Sequence, residues 1–370
     1  MRCRLLFTVP LLGVFLALGS VPALASGGFG LISTVTIPGP KPLIGFDISW
    51  VDRSSQTYLL ADRSNARIDV VDASAGVWTR AIGAGLFRGQ QASNDVSGPN
   101  GVLVVHDQHE VWAGDGDSTV KVFDFETGRL KATIPTEGAR RADEMAFDQK
   151  NHVLLVANDA EDVPFVTFIS TRHHSVVGHI SFPRASNGLE QPVWDPETHL
   201  FYLSVPELDG DPHTGAIAVM DSTSMTLERM FPASDCEPAG LALGPHQHLL
   251  LGCSGDAIAA GFTPRSVIID ARTGDVVANI TQVGGSDEVW LNPGDKHYYL
   301  AANSNPGGPV LGVIDAKTNT WIQNVPTFTR AHSVAANPIN NHIFVPLRAG
   351  APQCGVHQSQ GCIGVYALMT

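Results

Sequence analysis

The sequence predicts an all-β protein, a seven-bladed β-propeller closed by an N-terminal strand that completes the last blade. Three observations support this fold class. Related units of about 40 residues follow one another along the chain, which is the period of propeller blades. Each unit contains four short apolar strands separated by turn residues. One unmatched strand precedes the first unit, and the last unit is one strand short.

The clearest unit begins with the stretch Ser286–Asn303, where an acidic pair precedes an apolar strand, a Pro/Gly/Asp turn and a second apolar strand. The same order returns at Ala142–Asp159 and, with His in place of the acids, at Ala331–Leu347. The turn between the third and fourth strands also recurs, as in Asp72–Gly76 and Asp124–Gly128. Asp caps such turns and Gly tolerates positive φ, so the pattern predicts hairpins.

The unmatched strand is Leu31–Ile37, and the predicted units follow it in order. The units are Gly45–Ile82, Pro99–Ile134, Ala142–Phe182, Leu189–Phe231, Glu237–Ile280, Asp287–Val325 and Ala331–Ala367. Pairing of the unmatched strand with the last unit would close the ring and remove both exposed sheet edges. Six or eight blades are the alternative, with the irregular region Leu86–Asn100 hiding or imitating a unit.

A secretory signal peptide is predicted for residues 1–25, because the apolar run Leu5–Leu18 follows two arginines and leads to Ala23-Leu24-Ala25. A membrane anchor is the alternative, although the run is short for one. Residues 26–370 then form one propeller domain, periplasmic or secreted, with no membrane span after signal removal. The net charge of −13 argues against binding to nucleic acid or anionic lipid.

Four of the five cysteines lie beyond the predicted signal peptide. Two apolar runs folded about Gly244–Gln247 place Cys236 and Cys253 opposite each other, and Cys354 and Cys362 bound a short loop. The sequence therefore predicts the disulfides 236–253 and 354–362, as expected in an oxidising compartment. Four free thiols at a metal site are the alternative, but neither pair has the C-x-x-C spacing of zinc sites.

The repeated segments Leu60–Ile68, Leu155–Asp159 and His332–Pro338 resemble the YVTN-type and NHL-type repeats of exported, YncE-like β-propellers. The resemblance covers nearly all of the chain beyond the predicted signal peptide. It implies the propeller fold, but propellers of these kinds include hydrolases, lyases, ligand binders and interaction platforms.

Polar residues precede the first strand of every unit, and in a propeller that strand lines the central channel. The candidate site residues are Asp47, Asn100, Glu144, Glu190, Glu237, Asp287, Glu288 and His332. Alignment of the units places Glu190, Asp287 and His332 at one position. Glu144 and Glu288 fall one residue later. The sequence leaves open which of the two positions faces the channel.

Several carboxylates in one channel repel each other unless a cation compensates their charge. The eight candidate residues therefore predict a divalent metal ion, Ca²⁺, Mg²⁺, Mn²⁺ or Zn²⁺, with a hydrated channel lining as the alternative. Glu144 and Glu288 are the candidate catalytic residues: the metal would activate water or polarise a carbonyl of a small-molecule ligand in the channel, and a spare carboxylate would act as general base.

A positional likeness to gluconolactonase-type propellers, whose Glu, Asn and Asp channel residues hold a divalent ion, implies hydrolase, lactonase or lyase chemistry. A non-catalytic scaffold that binds a ligand or a protein partner is the alternative. Its contacts would come from loops such as Leu86–Ser97 and Glu207–Thr214.

Overall fold

The computed structural model describes residues 27–369 and folds them into seven four-stranded antiparallel sheets. Each sheet is one blade, so the predicted seven-bladed propeller is confirmed. The predicted signal peptide lies outside the described residues.

Six blades consist of four consecutive strands each. The strands of blades 1 to 3 are β2 (Ser49–Asp52), β3 (Thr57–Asp62), β4 (Arg67–Asp72), β5 (Val77–Ile82), β6 (Val102–Val105), β7 (Glu110–Asp115), β8 (Thr119–Asp124), β9 (Leu130–Pro135), β10 (Met145–Asp148), β11 (Val153–Asn158), β12 (Phe165–Ser170) and β13 (Ser175–Ser181). Those of blades 4 to 6 are β14 (Pro192–Asp195), β15 (Leu200–Val205), β16 (Ala216–Asp221), β17 (Thr226–Pro232), β18 (Pro238–Leu243), β19 (His248–Cys253), β20 (Ser266–Asp270), β21 (Val276–Ile280), β22 (Val289–Asn292), β23 (His297–Ala302), β24 (Val310–Asp315) and β25 (Thr320–Pro326).

Blade 7 joins the two ends of the chain. It consists of β26 (Ala335–Asn337), β27 (His342–Leu347), β28 (Cys362–Leu368) and the N-terminal strand β1 (Phe29–Thr36). Strand β1 pairs antiparallel with β28, from Phe29 opposite Leu368 to Thr36 opposite Cys362. The predicted closure of the ring by the N-terminal strand is therefore confirmed.

Helical structure among the described residues is confined to short connections. The helix α1 covers Gly255–Ala259, and single turns of 3₁₀-helix cover Asn94–Val96, His106–Gln108, Pro245–Gln247 and Pro352–His357. None of the described helices is long and apolar enough to cross a membrane.

The hydrophobic core is divided into seven clusters, one between each pair of neighbouring blades. Strand alternation explains this division. In β3, Leu59 packs in the cluster toward blade 2, whereas Tyr58 and Leu60 pack in the cluster toward blade 7. Full burial of one such side chain stabilises the fold by about 1.5–3 kcal/mol. Each middle strand thus holds its two neighbouring blades together.

Both predicted disulfides are present. Cys236 pairs with Cys253 across the first hairpin of blade 5, and Cys354 pairs with Cys362 across the loop before β28. The first strands of the seven blades contact one another in a closed circle, β2, β6, β10, β14, β18, β22 and β26. The residues that precede these strands therefore surround one central channel.

Candidate functional site in the central channel

Two consecutive positions before each first strand form two rings around the channel. In five blades the backbone N–H at the first position donates to the carbonyl of the equivalent residue of the second strand, at 2.8–3.2 Å. The pairing of β18 with β19 and of β26 with β27 extends the alignment to blades 5 and 7. The first ring is Asp47, Asn100, Asp143, Glu190, Ala239, Asp287 and His332. The second ring is Ile48, Gly101, Glu144, Gln191, Gly240, Glu288 and Ser333.

The two rings lie at different depths, which answers the question that the sequence left open. Five members of the first ring line a cavity of about 590 Å³ at one end of the channel, here called the polar chamber. Four members of the second ring line a cavity of about 390 Å³ toward the other end, here called the aromatic chamber. Ile48 and Glu144 line both. The second ring is therefore the partition between the chambers.

Glycines of the second ring bring neighbouring blades close together. A Cβ atom at Gly101 would collide with the backbone carbonyl of Asp143, and one at Gly240 with that of Asp287. Gln191 bridges the same region, because its Oε1 accepts from the N–H groups of Leu241 at 2.8 Å and Val289 at 3.1 Å. The channel is consequently narrow at the second ring.

Glu237 lines neither chamber. The strand pairing of blade 5 is irregular between Pro238 and Leu241, and it gives the ring positions to Ala239 and Gly240. The Glu237 side chain instead accepts from Asn187 Nδ2 at 3.3 Å, and burial together with nearby Asp256 raises its pKa. Blade 5 therefore contributes no charged group to the channel.

Arg63 binds two of the predicted site residues. This guanidinium, only 3% exposed, donates to Asn100 Oδ1 from Nε at 3.1 Å and from Nη2 at 2.7 Å, and it forms an ion pair with Asp47. Burial alone would raise the pKa of Asp47, but Arg63 and His332 outweigh it and lower the value to about 2. Asp47 is therefore a permanent anion, and Asn100 lies beneath Arg63 outside the chamber lining.

Arg141 binds the Asp of blade 3. Its Nη2 lies 2.9 Å from Asp143 Oδ2 and 2.5 Å from Asp159 Oδ2. The other carboxylate oxygen of Asp143 is buried without a hydrogen-bond partner. Burial raises the pKa of Asp143 although Arg141 opposes the rise. Asp143 and Asp159 thus share the guanidinium of Arg141.

His332 lies between two acids of the first ring. Its Nδ1–H donates to the Arg330 carbonyl at 2.9 Å, its Nε2 is 3.6 Å from Asp47 Oδ1, and its ring stacks on Phe46 at 4.8 Å between centroids. Burial alone would lower the pKa of His332, but Asp47 and Asp287 raise it. The two acids therefore favour the charged form of the imidazole.

Three carboxyls of the channel accept no hydrogen bond from residues 27–369: Glu144, Glu190 and Asp287. Burial is the largest cause that raises the pKa of each, and the other acids raise those of Glu144 and Glu190 further. These groups come from blades 3, 4 and 6. No cationic side chain of the described residues is bound directly to any of the three.

Glu288 differs from Glu144 although both belong to the second ring. Its Oε2 accepts from the Ser333 hydroxyl and, at 3.0 Å, from the Val334 N–H. Ser333 is in turn 2.7 Å from the Ser49 hydroxyl. Burial nevertheless raises the pKa of Glu288. Glu288 is therefore anchored by blades 7 and 1, whereas Glu144 is not anchored.

The sequence analysis missed the arginines of the polar chamber and did not include Asp143 among the candidate site residues. Arg141 had a local signal, since it comes just before the Ala142-Asp143-Glu144 repeat. Arg63 had another, because it directly follows β3, at the position that Asp159 occupies after β11. Arg330 and Arg348 also line the chamber.

Within residues 27–369, no group of three or more His, Cys, Asp or Glu side chains is placed to hold a metal ion. Asp47, Asn100 and Asp143 are bound by arginine, and Glu237 lies outside the channel. The carboxyls that remain for a cation are Glu144, Glu190 and Asp287. The predicted metal site stays a prediction, restricted to these three.

The fold is shared with solved structures of unrelated sequence. A chain of the mitotic checkpoint complex superimposes with a TM-score of 0.68 at 13% identity, over 99% of this chain and 100% of that chain. Hydrazine synthase from Kuenenia stuttgartiensis gives 0.67 at 13% identity, over 85% and 94%. No family model matches the sequence, and no curated protein matches it. These similarities show the propeller fold alone.

Proposed function

We propose that the protein is an exported propeller that binds a small cation in its polar chamber, through Glu144, Glu190 and Asp287. The observation that carries the proposal is the group of three carboxyls around one chamber that accept no hydrogen bond from the described residues, with Glu144 buried and Glu190 and Asp287 half-buried. A divalent metal ion, as the sequence predicts, is the cation to test first.

The charges around the chamber limit where the cation binds. Arg63 and Arg141 occupy one side and already neutralise Asp47 and Asp143. Glu190 and Asp287 belong to blades 4 and 6, and Glu144 lies one position deeper. A cation between these three would lower their raised pKa values toward the ordinary range. Oxygen ligands of this kind favour Ca²⁺, Mg²⁺ or Mn²⁺ over Zn²⁺.

Hydrolase, lactonase or lyase activity remains a proposal that depends on the same site. Glu144 is the better candidate of the two predicted catalytic residues, because its carboxyl lines the polar chamber and a raised pKa suits a general acid or base. Glu288 is held by Ser333 and Val334 and lines the other chamber, so we assign it a positioning role.

Export is supported by the two disulfides, which form and persist in oxidising compartments.

Calorimetric titration of the purified protein with Mn²⁺ and Ca²⁺ tests the cation site. We expect one ion per chain for the wild type, and loss of binding in the triple variant Glu144→Gln, Glu190→Gln, Asp287→Asn. These amides keep the size of each side chain and remove its charge. The matched control is Glu237→Gln, which removes a buried carboxyl outside the channel and should bind as the wild type does.

The absence of stoichiometric binding of Ca²⁺, Mg²⁺, Mn²⁺ and Zn²⁺ by the folded wild-type protein would overturn the metal form of the proposal. Equal binding by the triple variant would show that any bound ion lies elsewhere, and it would overturn the assignment of the three carboxyls.

A further inference from the structure

The aromatic chamber is a second cavity whose walls differ from those of the polar chamber. Its side chains come from six blades and are almost all apolar. Four aromatic rings are among them, those of Trp50, Phe147, Trp194 and Trp290, each only partly buried. Its volume of about 390 Å³ lies within the range of small-molecule sites.

The aromatic rings are held in place by packing. Trp50 of blade 1 and Trp290 of blade 6 meet edge to face, with ring centroids 5.1 Å apart. Blade 7 lies between blades 6 and 1 in the ring. The two tryptophan rings reach each other because the first strand of blade 7 begins with the small residues Ala335 and Ala336. Trp194 packs on Phe201 with centroids 4.8 Å apart. Trp50 and Trp290 therefore form one aromatic wall of the chamber, and Trp194 is held separately in blade 4.

Two carboxyls of the second ring close the inner end of this chamber. Glu144 and Glu288 are 7% and 2% exposed, and both line the cavity. No Lys, Arg or His is found among the described residues that line it. The two carboxyls at the base of this aromatic cavity thus have no cation from the protein to stabilise their ionised forms.

Aromatic faces and carboxylates attract the same kind of ligand. The face of a tryptophan ring carries partial negative charge and binds ammonium groups, most strongly in aromatic cages. A cationic ligand favours the ionised forms of Glu144 and Glu288, which burial disfavours, whereas a neutral or anionic ligand does not. The aromatic side chains offer no oxygen ligand to a bare metal ion.

We propose that the aromatic chamber binds a small organic ammonium ion with an apolar body. The ammonium group lies near Glu144 and Glu288, and the apolar body packs against Trp50, Trp194 and Trp290. This site shares Glu144 with the cation site proposed for the polar chamber, but its other residues line only the aromatic chamber. The net charge of −13 favours the approach of such a ligand to the channel.

Calorimetric titration of the purified protein with benzyltrimethylammonium, in buffer with a metal chelator, tests this proposal. Neopentylbenzene, the neutral compound of the same shape, and benzenesulfonate are the comparison ligands. We expect saturable binding of the ammonium ion, at least tenfold weaker binding of the neutral compound and no binding of the anion. The chelator keeps the result independent of the metal proposal.

Variants locate the site. Trp194→Ala and Glu288→Gln should each weaken ammonium binding at least tenfold, and Trp194→Phe should retain it. Trp321→Ala, which removes a tryptophan on the outer strand β25, and Glu190→Gln, which alters only the polar chamber, should bind as the wild type does. Circular dichroism and thermal melting confirm that each variant is folded.

Equal binding of the neutral and ammonium compounds would overturn the role of the carboxyls. The proposal is also overturned if the folded wild type binds no ammonium ion, or if Trp194→Ala binds it unchanged.

Discussion

The two chambers of the channel are built from adjacent positions of the same repeat, yet they differ in chemistry. The polar chamber contains four arginines, one histidine and five acids, and half of these ten groups form ion pairs with one another. The aromatic chamber has apolar walls and two glutamates at its base. The first-ring residues line the polar chamber, and the residues one position later in the chain form the second ring, which borders the aromatic chamber.

This difference shows how a propeller divides its tasks. The backbone pairing of each blade places the two ring positions at fixed depths, so the fold provides the locations. The chemistry depends on side chains that neighbouring blades supply, such as Arg63 for the first ring and Ser333 for the second. Each chamber therefore depends on different contacts and should respond differently to substitution.

The largest expected difference concerns stability. Arg141→Ala leaves Asp143 and Asp159 without their shared cation in a buried site. Breaking a buried pair in this way costs about 3–5 kcal/mol of unfolding free energy. Trp290→Ala in the aromatic chamber removes a partly buried side chain and should cost about 2 kcal/mol. Urea denaturation measures both values.

Arg272→Ala is the matched control for the arginine, because its ion pair with Glu197 is exposed on both sides. It should change the unfolding free energy by less than about 1 kcal/mol. A loss from Arg141→Ala no greater than that from Arg272→Ala would show that the polar chamber tolerates an uncompensated charge.

The second prediction is a fall in stability with rising pH. The pKa values of Glu144, Glu190 and Asp287 are raised in the native state, so this state holds protons that the unfolded chain has already released. The contribution of these three groups to stability is then greatest below the unfolded-state pKa values, near 4, and decreases as the pH rises through the folded ones. Each extra proton contributes a slope of about 1.4 kcal/mol per pH unit.

Variants of the two chambers should differ in how their stability depends on pH. Glu190→Gln should reduce the slope, whereas Trp290→Ala should leave it unchanged while lowering the whole curve. Urea titrations at several pH values between 5 and 8 provide the measurement. Asp47 does not contribute in this range, because its pKa of about 2 affects stability only in strong acid. A stability that rises from pH 5 to pH 8 contradicts the prediction.

The fold was predictable from the sequence because the repeat is a local signal. Strand alternation, the Asp-to-Gly turns and the unmatched strand Leu31–Ile37 predicted the blades and their closure, and cysteine spacing within single hairpins predicted both disulfides. Each of these inferences needed only residues close in the chain or one pairing of its two ends.

The candidate site was only partly predictable because its contacts cross between blades. Alignment placed Glu190, Asp287 and His332 at one position, but the depth of the rings depends on strand pairing. The irregular pairing in blade 5, which removes Glu237 from the channel, has no clear sequence pattern. The sequence analysis missed the aromatic residues of the second chamber because the tryptophans do not align between repeats. Trp290 lies two residues before Asn292, the last residue of its strand, whereas Trp194 lies one residue before Asp195, the last residue of its strand.

The smallest expected effect concerns the charge of His332. Its ring stacks nearly parallel on Phe46, at an interplanar angle of 7°. A cation over an aromatic face gains about 0.5–1 kcal/mol, so Phe46→Leu should lower the pKa of His332 by about half a pH unit while keeping the site apolar. Phe147→Leu in the aromatic chamber lies far from this contact and should not change it. NMR titration of the His332 ring protons measures the shift, and an unchanged pKa in Phe46→Leu would mean that Asp47 and Asp287 alone keep the imidazole charged.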